Sequence, residues 1–229
     1  MRAPISVIIP TLNAQSHLPK LLASLFEGID AGLIREVIVS DGGSSDKTCE
    51  TAFEAGCHIV QAKRGRGGQI REGIIQSGGI WYLILHADAE LSKGWSDGFG
   101  KYLSDESIAW YFRLRFSNPT LVARVTGAWA NARSYYLGLP YGDQGLLISM
   151  ELLNSVNGYS SISLMEDIEM AGRLKGRLEM LPLALLTDAQ RYEKNGWLLQ
   201  GVQNIWRLMR YTVGVSPDTL AKDYEDPKL

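Results

Sequence analysis

The chain has 229 residues, 45% hydrophobic and 21% charged, which is enough apolar material for one large core and excludes an intrinsically disordered chain. A formal net charge of -2 and a pI near 6.0 leave no basic footprint, so no nucleic acid is expected as a partner and anionic ligands must be met by locally placed cations. The two cysteines, Cys49 and Cys57, lack the companions of a zinc pattern although His58 follows Cys57; buried thiols of a cytoplasmic protein are expected.

Met1-Arg2-Ala3-Pro4 followed by Ile5-Ser6-Val7-Ile8-Ile9 has no long apolar run before a small-residue cleavage site, so it predicts a first strand and no signal peptide. Strand signals over 5–9, 36–40, 58–61 and 81–85 alternate with helix signals over 16–27, 46–55 and 67–77, the order of a parallel sheet with crossover helices. Ser16, Asp46 and Gly65 are the expected helix starts. Ile108, Trp110, Phe112, Leu114 and Phe116 then alternate strictly, which predicts a half-exposed strand pairing antiparallel at or beyond the sheet's edge. Helices are expected over 120–137, 150–156 and 164–175, and an apolar strand near 183–186.

From Gly196 to about Val213 a last helix carries Leu198, Val202, Ile205, Trp206, Met209 and Val213 at helical spacing, with Arg207 and Arg210 among them. Such a stripe is expected in a core or a homodimer surface, and its tryptophan and arginines keep peripheral membrane contact open. After Ser216-Pro217 the chain is polar, and residues 216–229 are expected to form a tail loosely ordered at its end. No stretch reaches the about 18 uncharged apolar residues of a spanning helix, so the expected protein is soluble, cytoplasmic or peripheral at a membrane's inner face. A single domain over 1–215 is expected, without repeats.

An open α/β sheet binds ligands at the carboxyl ends of its strands. The run Ile80-Trp81-Tyr82-Leu83-Ile84-Leu85 turns polar abruptly at His86-Ala87-Asp88-Ala89-Glu90, which makes Asp88 a candidate oxygen ligand for a hard divalent cation, with a helix cap or turn as the alternative. On the same edge lie Pro10-Thr11-Leu12-Asn13 and Ser40-Asp41-Gly42-Gly43-Ser44, where Asp41 could accept hydrogen bonds from a nucleotide base and Gly43 lets backbone approach a ligand. Lys63-Arg64-Gly65-Arg66-Gly67-Gly68-Gln69 opens the third helix and is a phosphate-contacting candidate. It is neither a Walker loop nor a dinucleotide fingerprint, which would want glycine in place of Ile70.

These segments, Ser6-Val7-Ile8-Ile9-Pro10-Thr11-Leu12-Asn13 and Glu36-Val37-Ile38-Val39-Ser40-Asp41-Gly42-Gly43-Ser44-Ser45-Asp46, resemble the opening of family 2 glycosyltransferases of GT-A fold. Arg64-Gly65-Arg66-Gly67, Leu85-His86-Ala87-Asp88, Tyr141-Gly142-Asp143-Gln144-Gly145 and Met165-Glu166-Asp167-Ile168-Glu169 are similar to a compact bacterial subgroup. The resemblance implies a mostly parallel, Rossmann-like sheet flanked by helices, with a nucleotide-binding half over about 1–105, an acceptor half over about 106–215 and a C-terminal helical extension.

It also implies inverting transfer from a nucleoside-diphosphate sugar, most often a UDP-sugar, to an unidentified acceptor hydroxyl, with manganese or magnesium as cofactor. Pro10, Thr11, Asn13, Asp41, Gly43, Arg64, Arg66, Gln69, His86, Ala87, Asp88 and Arg191 then fall to the donor. Asp143 and Gln144 fall to the acceptor or sugar, and Asp88 to the metal. His86 departs from the family's acidic metal motif; phosphate contact and a strand cap are its other readings. Asp167 matches the family's catalytic base. Glu166 is either its partner in the acidic pair or, through Ser163-Leu164-Met165-Glu166, a capping box. Two rival functions stay open, a sugar nucleotidyltransferase and a non-catalytic nucleotide-sugar-binding protein. The nucleotidyltransferase should carry its basic loop after the first strand, where Pro10-Thr11-Leu12-Asn13 stands instead.

Overall fold

The computed structural model describes residues 3–225. Eight strands form one sheet: β1 (Ile5–Thr11), β2 (Ile34–Asp41), β3 (His58–Gln61), β4 (Trp81–Ile84), β5 (Ala89–Leu91), β6 (Ala109–Phe116), β7 (Leu146–Ser149) and β8 (Leu178–Thr187), in the order β3-β2-β1-β4-β7-β6-β8-β5. β1 to β4 are parallel, as their alternation with α1 (Leu18–Asp30), α2 (Thr48–Glu54) and α3 (Arg66–Ile75) predicts. The chain leaves β1 toward β2 and β3, then returns to lay β4 on the other side of β1. That reversal opens a crevice beyond the carboxyl ends of β1 and β4.

Side chains of β1 alternate between two cores. Val7 and Ile9 join Leu21, Leu25, Trp81 and Trp95 on one face, whereas Ile8 joins Ile38, Ile70, Ile148 and Met170 on the other. Trp95 meets Phe99 edge-on at 5.0 Å between centroids, and Phe99 stacks on Phe112 at 6.4 Å. Both faces of the first half are thereby covered, which is why its strands read as continuous apolar runs.

The second half is mixed within the mostly parallel sheet that the sequence predicts: β7 is antiparallel to β4 and β6, β8 is parallel to β6, and β5 closes the edge antiparallel to β8. The alternating strand at 109–116 is therefore interior. Ala109, Tyr111 and Phe112 are buried between β7 and β8, and only Arg113 and Arg115 face out. A register shift between Tyr111 and Arg113 marks the change.

The remaining helices are α4 (Leu121–Leu137), α5 (Met150–Ser155), α6 (Glu166–Arg173), α7 (Gln190–Asn195), α8 (Trp197–Thr212) and α9 (Pro217–Glu225). Three helix starts shift, α2 beginning at Thr48 and not at Asp46. α1 begins at Leu18 with Pro19 in its first turn and no side-chain cap from Ser16. α6 begins after Met165, whose φ of 67° turns the chain, and Ser163 donates to Asp218 Oδ1 at 2.7 Å instead of capping α6. The expected capping box does not form.

The expected polar tail is in part folded. Leu220 of α9 is fully buried against Leu164, Met165 and Ile168, and Arg210 pairs with Asp223 at 2.6 Å; residues 226–229 of that tail lie outside the described residues. Cys49 and Cys57 are half-buried and unpaired, with burial pushing the Cys57 thiol up to about 11. No helix among the described residues is long and apolar enough to cross a membrane.

Candidate active site

The crevice is the mouth of a cleft of about 1110 Å³, lined from the sheet by Pro10, Thr11, Asn13, His86, Ala87 and Asp88 and from the loops by Arg64, Arg66, Gln69, Asp143 and Asp167. Eleven residues singled out from the sequence thus meet around one space. Asp41, Gly43, Gln144 and Glu166 do not line it. Arg191 falls on α7, and its side chain lies outside those described.

Loops at the ends of β1 and β2 are laced together. Asn13, at φ 52°, accepts from the Ser45 amide at 2.9 Å and donates its own amide to Ser44 Oγ at 2.8 Å. Asp41 is only 1% exposed. Its Oδ1 accepts from Thr11 and Ser44 hydroxyls and its Oδ2 from the Gly43 and Ser44 amides. Burial alone would raise its pKa, but these donors outweigh burial and hold the carboxyl below the usual range. All four acceptor directions are occupied, so Asp41 shapes the loop and does not face a base in this conformation. Gly43 donates its amide to the same carboxylate.

Gln69 fastens the two strand ends from below, donating Nε2 to the carbonyls of Thr11 at 2.7 Å and Ser40 at 2.8 Å. The start of α3 is not an open anion site. Gly67 donates its amide to the Ile162 carbonyl at 3.1 Å, and a Cβ on Gly67 would stand 2.2 Å from the Ser160 carbonyl oxygen. What this loop brings to the cleft is the side chains of Arg64 and Arg66.

Three carboxylates, those of Asp88, Asp143 and Asp167, share the cleft lining with His86. Asp88 is exposed on the cleft lining. Asp143 has a buried Oδ1 without a partner, and burial, opposed by Arg133 and reinforced by Asp167 and Asp88, lifts its pKa to about 6. Asp167 is fixed by two amides, accepting from Gly142 at 2.6 Å and from Ile168 at 2.7 Å. Gly142 also abuts the imidazole: a Cβ there would meet His86 Cε1 and Nε2 at 2.3 Å. Burial, with Arg66 adding to it, keeps His86 well below its ordinary pKa and neutral.

Glu166 is 2% exposed, and neither carboxyl oxygen has a partner. It lines a cavity of about 30 Å³ behind Asp167, and burial together with the Asp167 charge raises it to about 7. Glu169 is half-buried and paired with Arg173 at 2.6 Å. Gln144 is not a sugar ligand: it is fully buried, donates to the Phe112 carbonyl at 3.2 Å and accepts from Ser134 Oγ at 2.5 Å. Among the aromatics of this half, Trp129, Tyr135 and Tyr136 are exposed outside the cleft, and Tyr141 lines it with Arg133 3.4 Å above its ring.

No three histidine, cysteine or carboxylate side chains among the described residues converge as a ready-made metal cage. A magnesium-type site needs less, one or two carboxylates completed by substrate phosphates and water. The exposed Asp88 and the unpartnered Oδ1 of Asp143 fit that donor set.

Sequence reasoning missed the cleft's far wall, formed by Tyr192, Gln200, Asn204, Arg207 and Tyr224. Asn204 accepts from Gln200 at 2.9 Å and from Arg207 at 3.0 Å and donates to the Tyr192 hydroxyl at 3.1 Å. Gln200, Asn204 and Arg207 recur at helical spacing opposite the apolar stripe, a signal that could have found them.

The sequence model described as glycosyl transferase family 2 matches residues 6–147. Human dolichyl-phosphate beta-glucosyltransferase is 32% identical over 146 residues, covering 48% of this chain and 45% of the relative; the Dictyostelium discoideum enzyme of the same name is 30% identical over 99 residues, covering 37% and 30%. The matches thus span less than half the length of these relatives. Among solved structures, S. aureus TarS 1-349 in complex with UDP-GlcNAc superposes with a TM-score of 0.60 at 18% identity, covering 81% of this chain and 58% of that one. Glucosyl-3-phosphoglycerate synthase from Mycobacterium tuberculosis, in complex with Mn2+, UDP and glucosyl-3-phosphoglycerate, gives 0.54 at 24%, covering 81% and 70%.

Proposed function

Since the chain belongs to glycosyl transferase family 2 and has the fold of GT-A glycosyltransferases, we propose that it is an inverting transferase moving a sugar from a UDP-sugar to an acceptor hydroxyl. The observation that carries this reading is Asp167, held on the cleft wall by the Gly142 amide and facing the edge that bears His86 and Asp88.

The donor's nucleoside lies along Pro10–Asn13 in this reading, and its diphosphate between Asp88 and the arginines 64 and 66. Asp88, with Asp143 beside it, would hold magnesium or manganese against the diphosphate, where the ion's chemistry is to neutralise the departing charge. Neutral His86 offers a hydrogen bond without adding positive charge. Asp167 takes the proton from the acceptor hydroxyl as its oxygen attacks the anomeric carbon, and the bond to the nucleoside diphosphate breaks on the opposite face. Arg66 stabilises the charge that develops there.

A second reading is favoured by the dolichyl-phosphate relatives: the acceptor is a lipid phosphate. A phosphate oxygen is already anionic near neutral pH and needs no base, so in this reading Asp167 takes no proton. Product analysis with a panel of nucleotide sugars tests the whole proposal. Nucleoside diphosphate released only with a hydroxyl or lipid-phosphate acceptor supports transfer. Pyrophosphate release would give the site to a nucleotidyltransferase, and binding without products to a non-catalytic protein.

A further inference from the structure

The far wall of the cleft carries a chain of hydrogen bonds whose direction is fixed by one group. Arg207 Nη1 lies 3.0 Å from Asn204 Oδ1; a guanidinium can only donate, so the amide oxygen of Asn204 is held on the arginine's side. Its NH2 group therefore faces the Tyr192 hydroxyl, at 3.1 Å. Gln200 follows the same order, giving Nε2 to Asn204 Oδ1 at 2.9 Å and accepting from Asn195 Nδ2 at 2.8 Å. The Tyr192 oxygen thus accepts at the end of the chain, and its own proton has no acceptor among the described residues. Tyr192 lines the cleft, so that proton is offered to what the cleft binds.

The donor is also held in place. Phe116 and Trp197 pack on the Tyr192 ring with centroids 5.1 and 5.0 Å away, and Gln200, behind Asn204 in the chain, is 3% exposed. A hydroxyl locked by packing and by a buried amide is built to read the position of one ligand oxygen. Burial, reinforced by the Asp143 charge, lifts the phenol to about 12, so it is a neutral donor beside that carboxylate. An uncharged hydroxyl oxygen suits such a donor, whereas the diphosphate has Arg64 and Arg66 to meet its charge. The transferred sugar hangs from that diphosphate, between Asp88 and Asp167 in the reading above. We propose that the Tyr192 hydroxyl, aimed by Asn204, donates to a hydroxyl oxygen of the transferred sugar. Tyr192 is then a determinant of the donor sugar and Asn204 a positioning residue, a role that rests on the UDP-sugar reading of the site.

The test is calorimetric titration of the full chain, in manganese and without acceptor, with UDP, UDP-glucose and UDP-N-acetylglucosamine. The readout is the ratio of sugar-nucleotide affinity to UDP affinity, taken for the sugar nucleotide that the parent binds more tightly; a general weakening of the wall does not move it. Tyr192→Phe keeps the ring against Phe116 and Trp197 and removes the hydroxyl alone. It should lower the ratio by about three- to tenfold, the worth of one hydrogen bond, with UDP affinity unchanged. Asn204→Asp keeps the oxygen that Arg207 and Gln200 use but replaces the donor with an acceptor, which draws the Tyr192 proton away from the cleft. It should lower the ratio as much, and the double variant no further. An unchanged ratio in Tyr192→Phe, an equal loss of UDP and sugar-nucleotide affinity, or additive losses in the double variant would each overturn the proposal. A parent that binds neither sugar nucleotide would overturn the UDP-sugar reading itself, and the proposal with it.

Discussion

Asp88, Asp143 and Asp167 face one cleft, yet their surroundings differ enough to separate their roles. Asp88 is exposed and Asp167 is held by two amides. If Asp88 links the protein to a cation on the diphosphate, Asp88→Asn should weaken UDP binding in manganese by about tenfold or more and leave metal-free affinity unchanged, as calorimetry would show. Glu166 makes a different prediction. As an acid whose folded pKa is raised from 4.5 to about 7, it favours the fold in its protonated form; that contribution is complete below about pH 4.5 and is lost as pH rises through about 7. Glu166→Gln should therefore flatten the fall in melting temperature between pH 5 and 8, gaining roughly 2–6 °C over the parent at the upper end. A parallel fall in both proteins would show that Glu166 finds a partner in solution.

α9 shows what an element can hide in a polar stretch. Its composition suggests a tail, but Leu220 is fully buried among Leu164, Met165 and Ile168, with Ala221 and Tyr224 packed against the same cluster, beside the helix that carries Asp167. Leu220→Ala should cost about 2–5 kcal/mol, measured by denaturant unfolding, and a change under about 0.5 kcal/mol would mean that α9 does not pack there. Elements with strong local signals were legible: β1 to β4 and the helices between them follow from apolar runs and their breaks. Gln144 was not, because a polar residue beside Asp143 on a glycine-bounded turn looks like a ligand until the carbonyl of Phe112 is seen to need it. Asp41 misled for a related reason, since its four donors come from a loop conformation that sequence does not display. Of the places expected for the α8 stripe, its exposure rules out the core, because periodicity gives a face and not its direction.

The molecule as a whole is a sheet whose parallel half sets up the edge that bears Pro10, Thr11, Asn13 and Asp88 and whose mixed half brings Asp143, Asp167 and α8 to the same cleft. Both halves are needed for the cleft, so chemistry and binding should be separable by substitution on opposite walls. Asp167→Asn keeps the size of the side chain and can still accept the Gly142 amide, while removing the basic oxygen pair. The decisive measurement is steady-state turnover of Asp167→Asn beside its affinity for UDP, with a hydroxyl acceptor identified by product analysis. General-base removal predicts turnover lower by about 10²–10⁴ with UDP affinity near the parent's. Near-parental turnover would contradict the assignment of Asp167 as the base.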